Sequence, residues 1–547
     1  MTNIEQQEDR RLALEELEEL ALRGLEGRQS PSIRRLAAQA DPRRWWALAV
    51  LCLSLILITL DNTVLNVALP TLVRDLHAST SELQWIVDSY QLVFAGLLFS
   101  AGSMADRYGR KGTLSLGLTV FGVGTLAAAF AGSAGMLILT RAFMGIGGAL
   151  IMPSTLSILG DVFPDPAERT RAIAIWAAMA AVGIALGPVL GGLLLARYSW
   201  GSIFLVNVPV VLAALIGGAV LLPKSKDPAP GRMDLVGSAL SIATLMTLVF
   251  AVIEGPTKGW TSTTVLGAAG AGVALLAGFL AWESHSDHPM LDLRLFADRR
   301  FSAGALTLTL LYFGGLGTYF LYTQHLQFVL GYSALRAGVY SVPFAVVLVI
   351  FSLRTPWAVQ RFGTARVAGL GLMTLALGVL LRSGADAHTG YWVLLVSLMV
   401  VGAGVGSTIA PSTTSIMSSL SPHQAGVGSA INDASRQVGG ALGVAVLGSV
   451  WASSYAHALA APALRLAVAP SALQASRGSV GAALAAARML PAPAGQNLVA
   501  AAKAAFVHGS NVANIVAALV AIGGAFLAMR YLPRLKRGAE PRAVPLN

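Results

Sequence analysis

The amino-acid sequence predicts an all-α membrane protein with 14 transmembrane helices, arranged as two homologous six-helix halves with two inserted helices between them. The first observation is composition: of 547 residues, 55% are hydrophobic and only 12% are charged. Soluble domains carry about 25% charged residues, and the mean hydropathy here is +0.68. The other two observations are a series of long apolar runs and an internal repeat.

The apolar runs are each long enough to cross about 30 Å of hydrocarbon. We number the expected spans 1 to 14 in chain order. They lie at residues 46–68, 83–103, 114–131, 135–158, 172–195, 203–222, 235–254, 264–282, 303–325, 337–356, 366–382, 391–412, 431–453 and 511–531.

The distribution of positive charge predicts the orientation. Cations cluster in the loops on one side of the predicted bundle, as in "RYGRKG" at 107–112 and "DRRF" at 298–301. Such loops face the cytoplasm, so both termini are expected there, in a bacterial cytoplasmic membrane. This bias accounts for the net charge of +11 without a nucleic-acid partner. Membrane lipid is the expected surrounding, and the number of subunits is left open.

The repeat divides the chain. "PSTLSI" at 153–158 returns as "PSTTSI" at 411–416, and "ADRYG" at 105–109 has a weaker echo, "VQRFG", at 359–363. Two related membrane halves are typical of secondary transporters. We therefore expect a cytoplasmic amphipathic segment at 1–44, the first half at 45–222, the two inserted helices at 223–302, five helices of the second half at 303–453, a long outer loop at 454–509, the last helix at 510–531 and a cytoplasmic tail at 532–547.

The outer loop at 454–509 is Ala-rich and carries basic residues without any acid. It is either a partly helical segment that lies on the bilayer or a contact for anionic lipid or an envelope partner.

Three charged side chains fall inside apolar runs: Asp61 in span 1, Asp88 in span 2 and Arg141 in span 4. An ionised side chain there costs roughly 2.5–3.5 kcal/mol on insertion scales and is expected to face the protein interior or a water-filled cavity. Asp61 is either a proton-exchanging group or a structural acid. Arg141 either approaches and leaves a carboxylate as helices move or belongs to a static ion pair. Asp88 is a second protonation site, a counter-ion for a cationic substrate, or an acid that reaches the outer interface.

Two glycine-containing stretches predict a tight turn and a close contact between helices. "GSMADRYGRKG" at 102–112 joins spans 2 and 3, where glycine permits a tight turn and the charged residues can bond to helix ends or to the neighbouring half. "GIALGPVLGG" at 183–192 places glycines at four-residue spacing on one helix face, which allows another helix to pack closely, and its proline bends the helix.

These two stretches, "LDNTVLNVALP" at 60–70 and "LTRAFMGIGGA" at 139–149 follow one another in a recognisable order. Together they resemble the major facilitator superfamily, specifically its 14-span drug:proton antiporter group of QacA- and EmrB-like exporters, over about 45–530. One departure is Met144, where these exporters usually carry Gln.

The resemblance implies proton-coupled efflux of an amphipathic small molecule, with the proton as coupling ion and neither cofactor nor metal. It assigns proton coupling to Asp61 and Arg141. Asp88 is a further candidate because of its position inside span 2. The implied conformational latch comprises Gly102, Asp106, Arg107, Gly109 and Arg110. The implied antiporter helix motif comprises Gly183, Gly187, Pro188, Gly191 and Gly192. A substrate cavity is expected near Trp85, Tyr90, Met144, Tyr312 and Phe313, although the rings of span 9 are also explained by packing.

Other functions find less support in the sequence. The chain contains no Gly-Lys dipeptide and hence no P-loop, and it has neither a His-Glu-x-x-His nor a Gly-x-Ser-x-Gly motif. An ATP-driven pump and an intramembrane hydrolase are therefore disfavoured. The remaining alternatives are export of an endogenous lipid or metabolite on the same scaffold and, less favoured, a membrane sensor that transports nothing.

Overall fold

A computed structural model describes residues 43–226, 233–420, 424–465 and 476–533. Fourteen helices in this part of the chain are long and apolar enough to cross a membrane, which confirms the predicted fold class. Almost all of the predicted N-terminal amphipathic segment, and nearly all of the C-terminal tail, lie outside the described residues.

The first half contains spans 1 to 6. Their helices are Arg44–Asp75, Thr80–Tyr108, Arg110–Ala129, Ala134–Val162, Pro166–Arg197 and Asn207–Leu221, the last preceded by a short helix, Ser202–Leu205. Spans 7 and 8 are Leu235–Lys258 and Thr263–His285, followed by a 3₁₀ turn, Leu293–Ala297.

The second half contains spans 9 to 14. Span 9 is Arg299–Gln324 and continues as a π-helical turn, His325–Val329. Span 10 consists of Ala334–Val339 and Val342–Phe362. Spans 11 to 14 are Thr364–Ser383, Tyr391–Ser418, Ala425–Arg465 and Ala492–Tyr531, with a short helix, Val480–Arg488, before the last.

The turns between helices show the internal repeat directly. Gly109 between spans 2 and 3 has φ of 110°, and Gly363 between spans 10 and 11 has φ of 86°. Both lie in the region that favours glycine over residues with a β-carbon. Pro153 and Pro411 likewise occupy the interiors of spans 4 and 12. The weak echo "VQRFG" therefore marks a turn of the same kind as "ADRYG".

We name the two ends of the bundle after their turns. The Leu76 end is where span 1 finishes and span 2 begins, and the Gly109 end is where span 2 finishes and span 3 begins. At the Leu76 end, Ser79 starts span 2 with a capping box: its side chain and backbone exchange hydrogen bonds with Glu82. Such a box satisfies backbone N–H groups that a helix start leaves without partners.

Span 7 joins the inserted pair to both halves. The Ser81 hydroxyl of span 2 donates to the Ile253 carbonyl at 3.3 Å, and the Ser449 hydroxyl of span 13 donates to the Val252 carbonyl at 2.7 Å. Two consecutive residues of one inserted helix thus contact the first and second halves near the Leu76 end.

The boundaries around the predicted 454–509 loop differ from the structure. Span 13 continues as helix to Arg465 and span 14 begins at Ala492, well before the predicted residue 510. The helices persist because alanine has the highest helix propensity and because Leu459 and Leu498 find apolar neighbours and are fully buried. The short helix Val480–Arg488 packs on spans 1 and 14, so this helix covers protein at the Leu76 end.

Candidate functional site

Asp61 and Arg141 meet inside the first half. Both side chains are fully buried, and an Arg141 Nη1 donates to Asp61 Oδ2. The sequence singled out each residue but left their contact open, and they are 80 positions apart. A charge-assisted hydrogen bond in a dry interior is stronger than one in water, so the two costly charges neutralise one another.

Asn207 is a third member that the sequence reasoning missed. Its Nδ2 donates to Asp61 Oδ1 at 2.9 Å and lies 3.3 Å from Thr125 Oγ1, and Asn207 is fully buried at the start of span 6. Both Asp61 oxygens therefore have donors. An asparagine inside the apolar run "SIFLVNVPVVLAAL" was the available signal, because buried amides need partners.

Two further contacts orient the Arg141 side chain. Its Nε donates to the Ile86 carbonyl at 3.1 Å, and its guanidinium carbon lies 4.5 Å from the centre of the Tyr90 ring. A guanidinium over an aromatic face gains cation–π attraction. Tyr90, which we expected in a substrate cavity, is fully buried beneath Arg141 and supports the ion pair in this state.

The glycine face of span 5 packs on the turns of span 1 that flank Asp61. Gly183 lies against Thr59 and Gly187 lies against Thr63, and the Thr63 hydroxyl donates to the Gly183 carbonyl at 3.3 Å. A β-carbon added to Gly187 would lie 2.9 Å from Thr63 Cβ and would overlap Thr63 Oγ1. Glycine is required here because the two backbones approach so closely.

The same helix also reaches the second half. Further along span 5, Gly191 lies against Val64 of span 1, whereas a β-carbon on Gly192 would lie 2.8 Å from the Ala334 carbonyl oxygen of span 10. The Pro188 carbonyl contacts Gly338, also in span 10. One helix therefore contacts both the span that carries Asp61 and a span of the opposite half.

Asp88 is enclosed. Its side chain is fully buried, and neither carboxylate oxygen has a hydrogen-bond partner among the described residues. Of the alternatives for Asp88, exposure at the outer interface is therefore not found in this state. A buried carboxylate without partners is expensive when ionised, and the described residues offer Asp88 no hydrogen bond to offset that cost.

The loop after span 2 is tied to the first half. Arg110 donates to Asp106 at 3.0 Å and also pairs with Asp161 at the end of span 4. Gly109 supplies the turn, while Gly102 faces Pro153 with ordinary spacing and Arg107 lies over the Tyr108 ring. The side-chain partners of Arg110 in the described chain belong to its own half, and its backbone N–H donates to the Ser225 carbonyl, just after span 6, at 2.9 Å. The described residues therefore show no bond from Arg110 to the second half in this state.

The remaining residues expected at a substrate cavity have different surroundings. Trp85 Nε1 lies 3.4 Å from Glu254 Oε1 of span 7, and Met144 is fully buried against Gly124. On span 9, Tyr312 lies beside Arg436 and Phe313 packs on Gly443 of span 13. These contacts do not test the expected substrate cavity, and contact of these side chains with substrate stays a prediction.

The two halves meet at the Leu76 end. Gln84 Nε2 of span 2 donates to the Val444 and Ala445 carbonyls of span 13 at 3.0 and 2.9 Å. Gln327 Nε2, in the continuation of span 9, donates to the Val67 carbonyl of span 1 at 2.8 Å. These direct bonds hold the halves together at this end.

Residues 51–444 match the family description "Major Facilitator Superfamily". The chain belongs to this superfamily. It is therefore a multi-pass membrane transporter, and the resemblance found in the sequence motifs is confirmed.

Curated relatives extend the comparison. The multidrug efflux pump LfrA of Mycolicibacterium smegmatis is 38% identical over 483 residues, which cover 88% of this chain and 95% of that protein. The methyl viologen resistance protein SmvA of Salmonella typhimurium is 34% identical, with 86% and 94% covered. The tetracenomycin C resistance and export protein of Streptomyces glaucescens is 33% identical, with 75% and 76% covered.

Solved structures agree on the fold. A bacterial homologue of the human lysosomal transporter Spinster, in an inward-facing and unoccupied conformation, aligns with a TM-score of 0.63 at 20% identity, covering 90% of this chain and 98% of that one. A D-xylose–proton symporter aligns with a TM-score of 0.59 at 14% identity, covering 90% and 98%.

Proposed function

We propose that this protein exports amphipathic, drug-like small molecules from a bacterial cytoplasm in exchange for protons, by alternating access. The substrate class is supported by relatives named for efflux of or resistance to drugs, methyl viologen and tetracenomycin C. These names favour drugs and antibiotics over an endogenous lipid or metabolite. The observation that carries the coupling is the buried Asp61–Arg141 pair. The proton is the coupling ion, with no further cofactor.

The proposed orientation places both termini and the Gly109 end in the cytoplasm. The support is the cluster of cations at that end, which includes Arg107, Arg110 and Lys111. Because the halves are bonded to one another at the Leu76 end, this state would be closed towards the outside. It would then be the state that receives cargo from the cytoplasm or inner leaflet.

Protonation of Asp61 would break the charge balance of the site. Removing one partner of a buried ion pair costs about 3–5 kcal/mol, because the other charge is left uncompensated. A proton on Asp61 would therefore destabilise the arrangement around Arg141 and Asn207. Inward movement of one charge down the membrane potential supplies about 2.3 kcal/mol per 100 mV, which is comparable with that cost.

Span 5 offers a route from the ion pair to the movement of the halves. Gly183 and Gly187 contact span 1 on both sides of Asp61, and Gly192 contacts span 10. A shift of span 1 on protonation of Asp61 would therefore displace span 5, which also contacts span 10 of the opposite half. Asp88, which is buried and has no hydrogen-bond partner in the described part of the chain, is the candidate for a second protonation site.

The test is proton-driven accumulation of a cationic dye in inverted membrane vesicles. We expect Asp61→Asn to abolish accumulation that depends on the imposed proton gradient, because the amide cannot exchange a proton. Asp75→Asn is the matched control, since Asp75 lies exposed at the end of the same helix and its loss should leave transport unchanged.

Undiminished gradient-driven transport by a correctly inserted Asp61→Asn protein would move the coupling role away from this pair. An Asp88→Asn protein tested beside it then shows whether the second acid carries the coupling. If the wild type moves no cationic or neutral drug-like dye but does export lipid, the proposed substrate class is wrong.

A further inference from the structure

The second half contains a buried cation that has no acidic partner among the described residues. Arg382, at the end of span 11, has only 6% of its side chain exposed. Its Nη2 donates to Asn514 Oδ1 of span 14 at 3.0 Å, and its guanidinium carbon lies 5.7 Å from the centre of the Tyr322 ring. Neither contact supplies a negative charge, and no ion pair to Arg382 is found among the described residues.

Arg382 borders a small cavity lined by other groups that can donate hydrogen bonds. Four buried polar atoms of its lining residues have no hydrogen-bond partner in the described chain: Asn514 Nδ2, Ser510 Oγ, Tyr322 Oη and His325 Nε2. Their residues are at least 94% buried. Orphaned polar atoms are uncommon in protein interiors, and here four of them lie around one guanidinium.

The first half provides an instructive contrast. There a buried arginine, Arg141, is neutralised by Asp61, and an asparagine of span 6 completes the site. In the second half Asn514 of span 14 holds the arginine, but the stretch "GLGTY" at 315–319, about 256 residues after Asp61, contains no acid. Arg382 lies on span 11 whereas Arg141 lies on span 4, so the two cations are not repeat equivalents. The second half still holds a buried arginine beside an amide, with no carboxylate at the position that corresponds to Asp61.

We propose that this cavity binds one small monovalent anion of halide size, with chloride as the physiological occupant. The cavity has a volume of about 10 Å³, which is room for one water-sized particle, and chloride is a single atom only slightly larger than water. Arg382 supplies the charge, and the Ser510 hydroxyl and the Asn514 amide supply hydrogen bonds. Sulfate, with four oxygens around its sulfur, is much larger than such a particle.

Water alone would satisfy some of the orphaned donors, but it would leave the Arg382 charge uncompensated. A buried charge requires a counter-charge or extensive hydrogen bonding. The anion answers both needs, because it brings a negative charge and accepts several hydrogen bonds. It would link spans 9, 11 and 14 at the Leu76 end.

The experiment measures thermal unfolding of the purified full-length protein in lipid nanodiscs, as sodium chloride replaces sodium gluconate at constant ionic strength. We expect a saturable rise in Tm with chloride and with bromide, and no rise with sulfate. Ser510→Ala should raise the half-saturating chloride concentration roughly tenfold, the factor for losing one hydrogen bond to a charged group. Arg382→Gln should abolish the response.

Arg336→Gln is the matched control, because Arg336 lies exposed at the same end of the bundle and its loss should leave the chloride response intact. A Tm that is the same in chloride and gluconate for the wild type would overturn the proposal, as would a response that Ser510→Ala leaves unchanged. Should Arg382→Gln fail to fold, the Ser510→Ala comparison decides. Bromide-soaked crystals give a direct check: an anomalous peak beside Arg382 is expected, and its absence at saturating bromide would contradict the assignment.

Discussion

The contact between Gly187 and Thr63 makes a sharp prediction about the antiporter motif. In Gly187→Ala the new β-carbon would overlap Thr63 Oγ1 and lie 3.1 Å from the Leu60 carbonyl oxygen. The second contact involves backbone and cannot be relieved by a side-chain rotation, so span 1 must shift. Overpacking of this kind costs about 1–3 kcal/mol, against a gain of up to about 1 kcal/mol from replacing glycine in a helix.

The substitution therefore raises the free energy of this conformation by a net amount of about 1 kcal/mol. Each 1.4 kcal/mol changes the equilibrium between this conformation and the others about tenfold. We therefore expect the maximal rate of dye transport to fall by roughly five- to tenfold, with a small loss of thermal stability. Thr63→Ala in the same chain removes Oγ1 and should restore part of the rate.

Gly160→Ala serves as the control, because Gly160 is also helical and a β-carbon there would meet nothing within 4 Å. This control should transport at the wild-type rate. Wild-type transport and stability in Gly187→Ala, or no recovery in the double variant, would refute the argument that this close contact constrains span 1.

Three further predictions concern the ion pair and the contact between halves. Asn207→Ala removes a hydrogen bond to the Asp61 carboxylate, so it should lower the unfolding free energy by about 1.5–3 kcal/mol. The conservative Asn207→Ser protein should lose less. Equal stability of the wild type and both variants would contradict the assigned bond. Arg141→Ala leaves Asp61 buried without its cation, and we expect a loss of about 3–5 kcal/mol that Asp61→Asn in the same chain partly reverses, measured by chemical unfolding in detergent. Gln84→Ala removes two bonds between the halves and should increase labelling of a cysteine placed at the Leu76 end; unchanged labelling would mean that these bonds do not hold that end closed.

The sequence predicted those features of the fold that depend on a single segment of the chain. Apolar runs gave all 14 spans, because crossing hydrocarbon sets a minimum length and composition. The boundaries of 454–509 were the exception, because these alanine-rich and modestly polar stretches predicted a loop. In the structure they extend spans 13 and 14. Propensity alone does not show that Leu459 and Leu498 will find apolar neighbours.

The features of the candidate site also separate into those that one segment predicts and those that depend on the packing of distant segments. The sequence by itself determined that Asp61 and Arg141 are exceptional, since each charge interrupts an apolar run, and that the span 5 glycines must meet another helix closely. Only the tertiary structure decided that the two charges pair across 80 residues and that Asn207 completes their hydrogen bonding. It also decided that no acid of the described chain pairs with Arg382. The reason is physical: insertion cost and helix length are properties of a segment, whereas partners, burial and cavities depend on which faces of distant helices pack together.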